Sequence, residues 1–282
     1  MAFAAGAVEG KLALRPLATG GGGVDPFALA MARMIGAALF FQALVRVTGQ
    51  LRPLPRAEHL RIAGLSVLGI VVNQTLFLVG LRLTTAFAAA LLGATIPVFT
   101  AALAVALRIE RPAASTAAGL VLAFAGVLWL TGIGSVDVGV VVIALNCLSY
   151  SLYIVLSKGV LERVGALTLV TWAFTWGALM LLPLGGLRLA VGVTQWGTSA
   201  WRLVAFIVVC PTIVAYLANA WALRRSTPTV VTIYIYLQPV LAALLQWVQM
   251  HEPVARRALF ASGLIFAGVT VVAVRRSRPG AA

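Results

Sequence analysis

Apolar runs of roughly 18 residues or more, the length a helix needs to cross a hydrocarbon core about 30 Å thick, recur from one end of this sequence to the other. No soluble core can cover so many at once. The balance of the chain agrees: 62% hydrophobic, 10% charged, mean hydropathy +1.04, against about half apolar and a quarter charged in soluble domains. The fold class that follows is an all-α membrane protein with a lipid bilayer as its solvent.

Ten transmembrane helices are expected, at about 1 to 16, 27 to 47, 61 to 81, 84 to 107, 113 to 132, 137 to 156, 166 to 187, 201 to 223, 228 to 250 and 256 to 274. Short connections make sequential helices antiparallel neighbours. The first is the shortest, since Met1 to Leu14 rises only about 21 Å; either the true start lies upstream or this helix is short by design. Glu9 and Lys11 interrupt that apolar opening, so it does not read as a cleavable signal. A net charge of +14 would suggest nucleic acid in a soluble chain. Here the basic residues sit singly or in pairs at the ends of apolar runs, as topology signals do, and no nucleic-acid partner is expected. With the amino terminus inside, thirteen basic residues fall in cytoplasmic connections, Lys158 and Arg163 among them, and six in outer ones. That excess places both termini in the cytoplasm. Cys147 and Cys210 lie in apolar segments and read as small buried hydrophobes.

Sliding the sequence against itself by 142 residues aligns 81–127 with 223–269 without a gap. Leu81, Arg82, Thr85, Pro97, Val98, Ala101, Leu103, Glu110 and the run Phe124 to Val127 recur identically. Apolar bias does not easily supply Arg, Thr, Pro, Glu and "FAGV" in register. The duplication divides the chain into two repeats, 1–136 and 137–282, of five spans each. Because five is odd, the second repeat enters the membrane from the opposite side. Inverted repeats of this kind are an architecture of transporters, giving two near-symmetric states open to opposite sides.

The segments "NQTLFLVGLRLTTAFAAALLGATIPVFTAALAVALRIERP" with "GLVLAFAGVLWLTG", and "ANAWALRRSTPTVVTIYIYLQPVLAALLQWVQMHEP" with "GLIFAGVTVV", resemble the two EamA-type repeats of the drug/metabolite transporter superfamily. The resemblance covers nearly the whole chain. It implies a ten-helix carrier of the bacterial inner membrane, built from two inverted five-helix units and exporting amino acids or other small metabolites. "AAGAVEGKLAL" resembles the family's first helix and its lysine, Lys11, without the tryptophan-containing beginning of that helix.

No phosphate-cradling GxxxxGK[ST] loop, metal-ligand spacing, Ser/His/Asp set or intramembrane carboxylate pair occurs, so neither an enzyme nor a cofactor is expected. Gly20 to Gly23 read as a flexible linker, and His59 and His251 as surface histidines. Polar side chains within spans carry more information, because burying them is costly and they face the bundle interior or an aqueous path. Asn73, Gln74 and Phe77 lie on the third helix; Asn146, Tyr150 and Tyr153 share a face of the sixth; Trp172 and Trp176 pair on the seventh. Thr212, Tyr216 and Asn219 align on the eighth, and Tyr234 with Gln238 on the ninth. Together these faces can line a cavity for a small-molecule substrate, holding zwitterions or cations by stacking and hydrogen bonds. Taken singly, each is equally read as interhelical glue or an interfacial belt. Lys11 and Arg33 either bind an anionic group, which would favour organic anions or phosphorylated metabolites, or snorkel to the outer interface. Glu9 is the one carboxylate inside a span and the sole obvious protonatable coupling group. Pro97 and Pro239 open the same apolar run in the two repeats and place bendable, gating points in the fourth and ninth helices. A polytopic membrane protein that keeps the fold as a receptor or scaffold without transport is the alternative from another class. Oligomeric state is not readable.

Overall fold

Helix-start chemistry is written clearly into this chain. Asp25 accepts from the Phe27 and Ala28 amides (2.9 and 3.1 Å), with Pro26 in the first turn behind it. Thr85 accepts from the Ala88 amide and Asp137 from the Val140 amide at 3.1 and 3.2 Å. Each cap satisfies amides that have no carbonyl partner in the first turn of a helix. A computed structural model describes residues 2–50, 53–109, 114–131, 137–215, 218, 228–251 and 254–276. Among them no strand occurs; besides a short 3-10 turn at Leu17–Thr19 there are ten longer helices, consistent in number with the ten spans expected. They are α1 (Ala2–Leu14), α2 (Pro26–Val47), α3 (Arg56–Leu83), α4 (Ala86–Ala106), α5 (Ala114–Thr131), α6 (Val138–Val164), α7 (Ala166–Gln195), α8 (Thr198–Val214), α9 (Pro228–Met250) and α10 (Arg256–Arg276).

Helix α6 is longer than its apolar run. Lys158 and Arg163, read as a connection, lie inside it, because leucines, glutamate and arginine continue a helix readily beyond the hydrocarbon. It stops at Gly165, whose φ of 82° is a conformation glycine adopts without strain. Tyr216, Asn219, Glu110 and Glu252 lie outside the described residues.

Helix pairing follows the duplication. The broadest contacts are α5 with α10 and α2 with α7, and α4 also packs on α9. Exchanging each helix for the one five places on leaves these pairs unchanged. The same exchange turns α3·α6 into α8·α1, α4·α6 into α9·α1 and α3·α7 into α8·α2, all of which are in contact. The repeated "FAGV" has its physical reason at the α5·α10 crossing. A Cβ on Gly126 would stand 2.7 Å from Ile265 Cγ1 and 3.1 Å from the Ala261 carbonyl. One on Gly268 would stand 2.6 Å from the Gly119 carbonyl and 2.9 Å from the Ala123 amide. Positions 261, 265 and 268 are 119, 123 and 126 advanced by 142, so each repeat lays its own glycine on the other's backbone. Close approach of this kind is how helices adhere in lipid, where no hydrophobic force separates protein from solvent. Large apolar side chains on the outer faces, including Val121 and Phe124 of α5 and Leu244 and Trp247 of α9, are exposed as a lipid-facing surface requires.

Both α3 and α8 depart from α-helical winding at matching places. Each contains a π-helical stretch, Val67–Val72 and Val208–Val214, and the 142-residue shift carries one onto the other to within a residue. Helix α4 breaks at Ala94 and Thr95 and resumes with Pro97 in its next first turn. In α9, by contrast, Pro239 lies inside a continuous helix.

Candidate functional site

A π stretch frees carbonyls and turns the residues after it to a new face, which is why such stretches gather at functional sites. In α3 the first residues after the stretch are Asn73 and Gln74. In α8 the stretch itself holds Thr212, whose hydroxyl donates to the Ile207 carbonyl (3.0 Å) in the π register. Arg33 of α2 joins the two. Its Nη1–H donates to Gln74 Oε1 at 2.7 Å and its Nε–H to Thr212 Oγ1 at 3.2 Å. Gln74 Nε2 donates on to Asn73 Oδ1 (3.1 Å), and Asn146 Nδ2 of α6 donates to the Asn73 carbonyl (2.6 Å). Five polar residues from four helices, drawn from both repeats, thus form one connected network. Arg33 is only 9% exposed. An arginine buried in a membrane bundle costs about 3 kcal/mol unless partners hold it, and the Gln74 and Thr212 oxygens supply them here.

Helix α6 completes the surroundings by satisfying its irregular neighbours. Ser149 donates to the Leu68 carbonyl in the π stretch of α3 (2.9 Å), and Ser151 to the Ile96 carbonyl at the break in α4 (3.2 Å). Irregular backbone at membrane depth needs such partners. Tyr150 and Tyr153 stack with centroids 5.8 Å apart, and a Cβ on Gly69 would run into the Tyr153 ring at 2.5 Å. The tyrosine pair therefore stands one turn along α3 from Asn73. Phe77 is half-buried against the core, and Gln238 is half-buried on α9. Tyr234 belongs to the backbone of α9, and its side chain lies outside the described residues.

Other candidates lie elsewhere. Lys11 Nζ donates to the Leu81 and Arg82 carbonyls, 2.9 Å each, where a cation meets the negative end of α3. Glu9 Oε1 accepts from Gln249 Nε2 at 3.1 Å, on the side of α1 toward α9. Trp172 and Trp176 do not join the Arg33 network; they gather around His59. The imidazole is 4.3 Å from the Trp172 ring and 6.2 Å from the Trp176 ring, edge-on to both. This corrects the reading of His59 as a surface histidine. Nothing in the spacing of α3 announces it, because its partners are on α7, more than a hundred residues away. Glu58 beside it is buried and held by Arg61 (2.6 Å) and by Arg163 of α6 (3.0 Å).

A helical membrane bundle of two matched repeats, with a buried cation and amides where they meet, defines a membrane transporter. The chain belongs to the EamA-like transporter family, whose model matches residues 10–132 and 137–274, and so to the drug/metabolite transporter superfamily. Among similar proteins is an uncharacterized transporter of Archaeoglobus fulgidus, 25% identical over 236 residues that cover 81% of each chain. Another is the uncharacterized transporter YdfC of Bacillus subtilis, 28% identical over 82% of this chain and 76% of its own. A crystal structure of 21% identity superposes with a TM-score of 0.59, covering 98% of this chain and 97% of that one, which supports the fold.

Proposed function

We propose that this protein is a secondary transporter that exports amino acids or related small metabolites across the bacterial inner membrane by alternating access, with both termini in the cytoplasm. The observation that carries the reading is Arg33, buried and tied to Gln74 and Thr212 beside the two matched π stretches. A substrate carboxylate exchanges for the neutral Gln74 oxygen on the guanidinium, because it adds an ion–ion attraction, strong in a poorly solvated site, that an amide oxygen lacks. Amides of Asn73, Gln74 and Asn146 supply partners for the rest of a zwitterion. The stacked Tyr150 and Tyr153 rings offer an apolar wall, with a face that attracts an ammonium group. Lys11 is engaged with α3 carbonyls, so among the described residues Arg33 is the one cation of this network. That favours a single carboxylate over a phosphate dianion.

The test is flux of labelled amino acids into liposomes carrying the purified protein. Saturable uptake above empty vesicles is expected for at least one of them. Arg33→Gln should lower kcat/KM by roughly ten- to a hundredfold, the worth of one hydrogen bond to a charged group. Flux of phosphorylated metabolites instead would favour an organic-anion carrier. No flux of any class would favour a receptor or scaffold.

A further inference from the structure

Away from the Arg33 network, three buried polar atoms lie within one aromatic cluster with no protein partner: His59 Nδ1, Trp172 Nε1 and Trp176 Nε1. The indoles are four residues apart on one face of α7, and both rings meet the His59 imidazole. Packing alone does not call for this chemistry, since a phenyl ring in either indole's place would fill space without burying an unsatisfied N–H, which costs free energy. An indole N–H can only donate. Two such donors beside an imidazole call for an acceptor oxygen, and the ring faces around them suit an apolar side chain. Charge at the site has a sign too. Glu58, adjacent to His59, sits between Arg61 and Arg163, which leaves this group of three net positive and attractive to an anion.

We propose that His59, Trp172 and Trp176 form a second substrate subsite, which takes the carboxylate oxygens of the solute through the two indole N–H groups. His59 precedes Gln74 by 15 residues on α3, about 20 Å along the helix. That is beyond the length of a free amino acid, so a solute occupies this subsite and the Arg33 centre in turn, not together. The solute class rests on the transport reading above; the subsite itself rests on the three orphaned atoms.

The experiment follows the isotope-labelled indole N–H resonances of Trp172 and Trp176 in the full chain in nanodiscs. The titrants are the proteinogenic L-amino acids and isopentylamine, the leucine skeleton without its carboxylate. At least one amino acid should move both resonances, the amine should move neither, and the response should persist in Arg33→Gln. Silence across the amino acids, an equal response to the amine, or loss of the response in Arg33→Gln each overturns the subsite. A chain that transports amino acids with both indoles silent loses only the subsite; one whose indoles respond while flux is absent loses only the transport reading.

Discussion

At the scale of single residues, the charged groups the sequence singles out separate by location. Arg33 is central, Lys11 closes the end of α3, and Glu9 pairs with Gln249 between α1 and α9. Because Glu9 accepts from Gln249 rather than from a member of the Arg33 network, Glu9→Gln should leave proton-driven uptake within about twofold of the unaltered protein, less than 0.5 kcal/mol in the barrier; a larger loss would return coupling to this carboxylate. Thr212→Val keeps the shape of the side chain and removes the acceptor for Arg33 Nε, so substrate KM should rise severalfold with little change in thermal stability in detergent. Part of this was legible beforehand. Asn73, Gln74, Asn146, Thr212 and Arg33 are polar residues in apolar runs, and the cost of burying them predicts that they find one another. His59 was not legible, since it sits near a helix end where a surface histidine is the ordinary expectation and only the tertiary contact with α7 half-buries it.

Elements carry a second layer of the argument. The spans themselves are plain from apolar length, and the ends are less so, because α6 and α7 continue as helix beyond the apolar run until Gly165 and Trp196. The π stretches left no trace in hydropathy, which counts apolar residues and is blind to one extra residue per turn. Deleting Val71 should restore α-helical winding in α3 and rotate Asn73 and Gln74 by roughly 100°; flux should vanish while membrane insertion is kept. At the α5·α10 crossing the two glycines are not equivalent. A Cβ at position 126 comes nearest the Ile265 side chain, with backbone no closer than 3.1 Å, whereas one at 268 meets backbone at 2.6 and 2.9 Å. Gly268→Ala should therefore lower the midpoint of thermal unfolding more than Gly126→Ala, with an overpacking cost of about 1–3 kcal/mol at position 268.

At the scale of the molecule, two ion pairs among the described residues tie one repeat to the other at opposite ends of α2. Asp25 at the start of α2 meets Arg188 of α7 at 2.8 Å, and Glu58 at the start of α3 meets Arg163 of α6. Helix α2 separates them by 22 residues, about 33 Å. Both arginines are about half exposed, so solvent screens each pair and leaves it enough to bias an equilibrium only a few-fold. Glu58→Gln should raise labelling of an introduced cysteine at its own face by impermeant thiol reagents and lower it at the other, and Asp25→Asn should do the reverse while still capping α2. Alternating access would be excluded by labelling that rises at both faces. The arginine at position 33 has a further consequence. The helix matching its own in the second repeat, α7, carries no basic residue from Ala166 to Leu187. Two conformations related by a faithful swap of halves would be degenerate in energy. With a guanidinium in one half and no cation in the matching helix of the other, that degeneracy is lifted. Under the alternating-access reading the empty protein would rest facing one side, with a gap set by how differently the two settings solvate one positive charge.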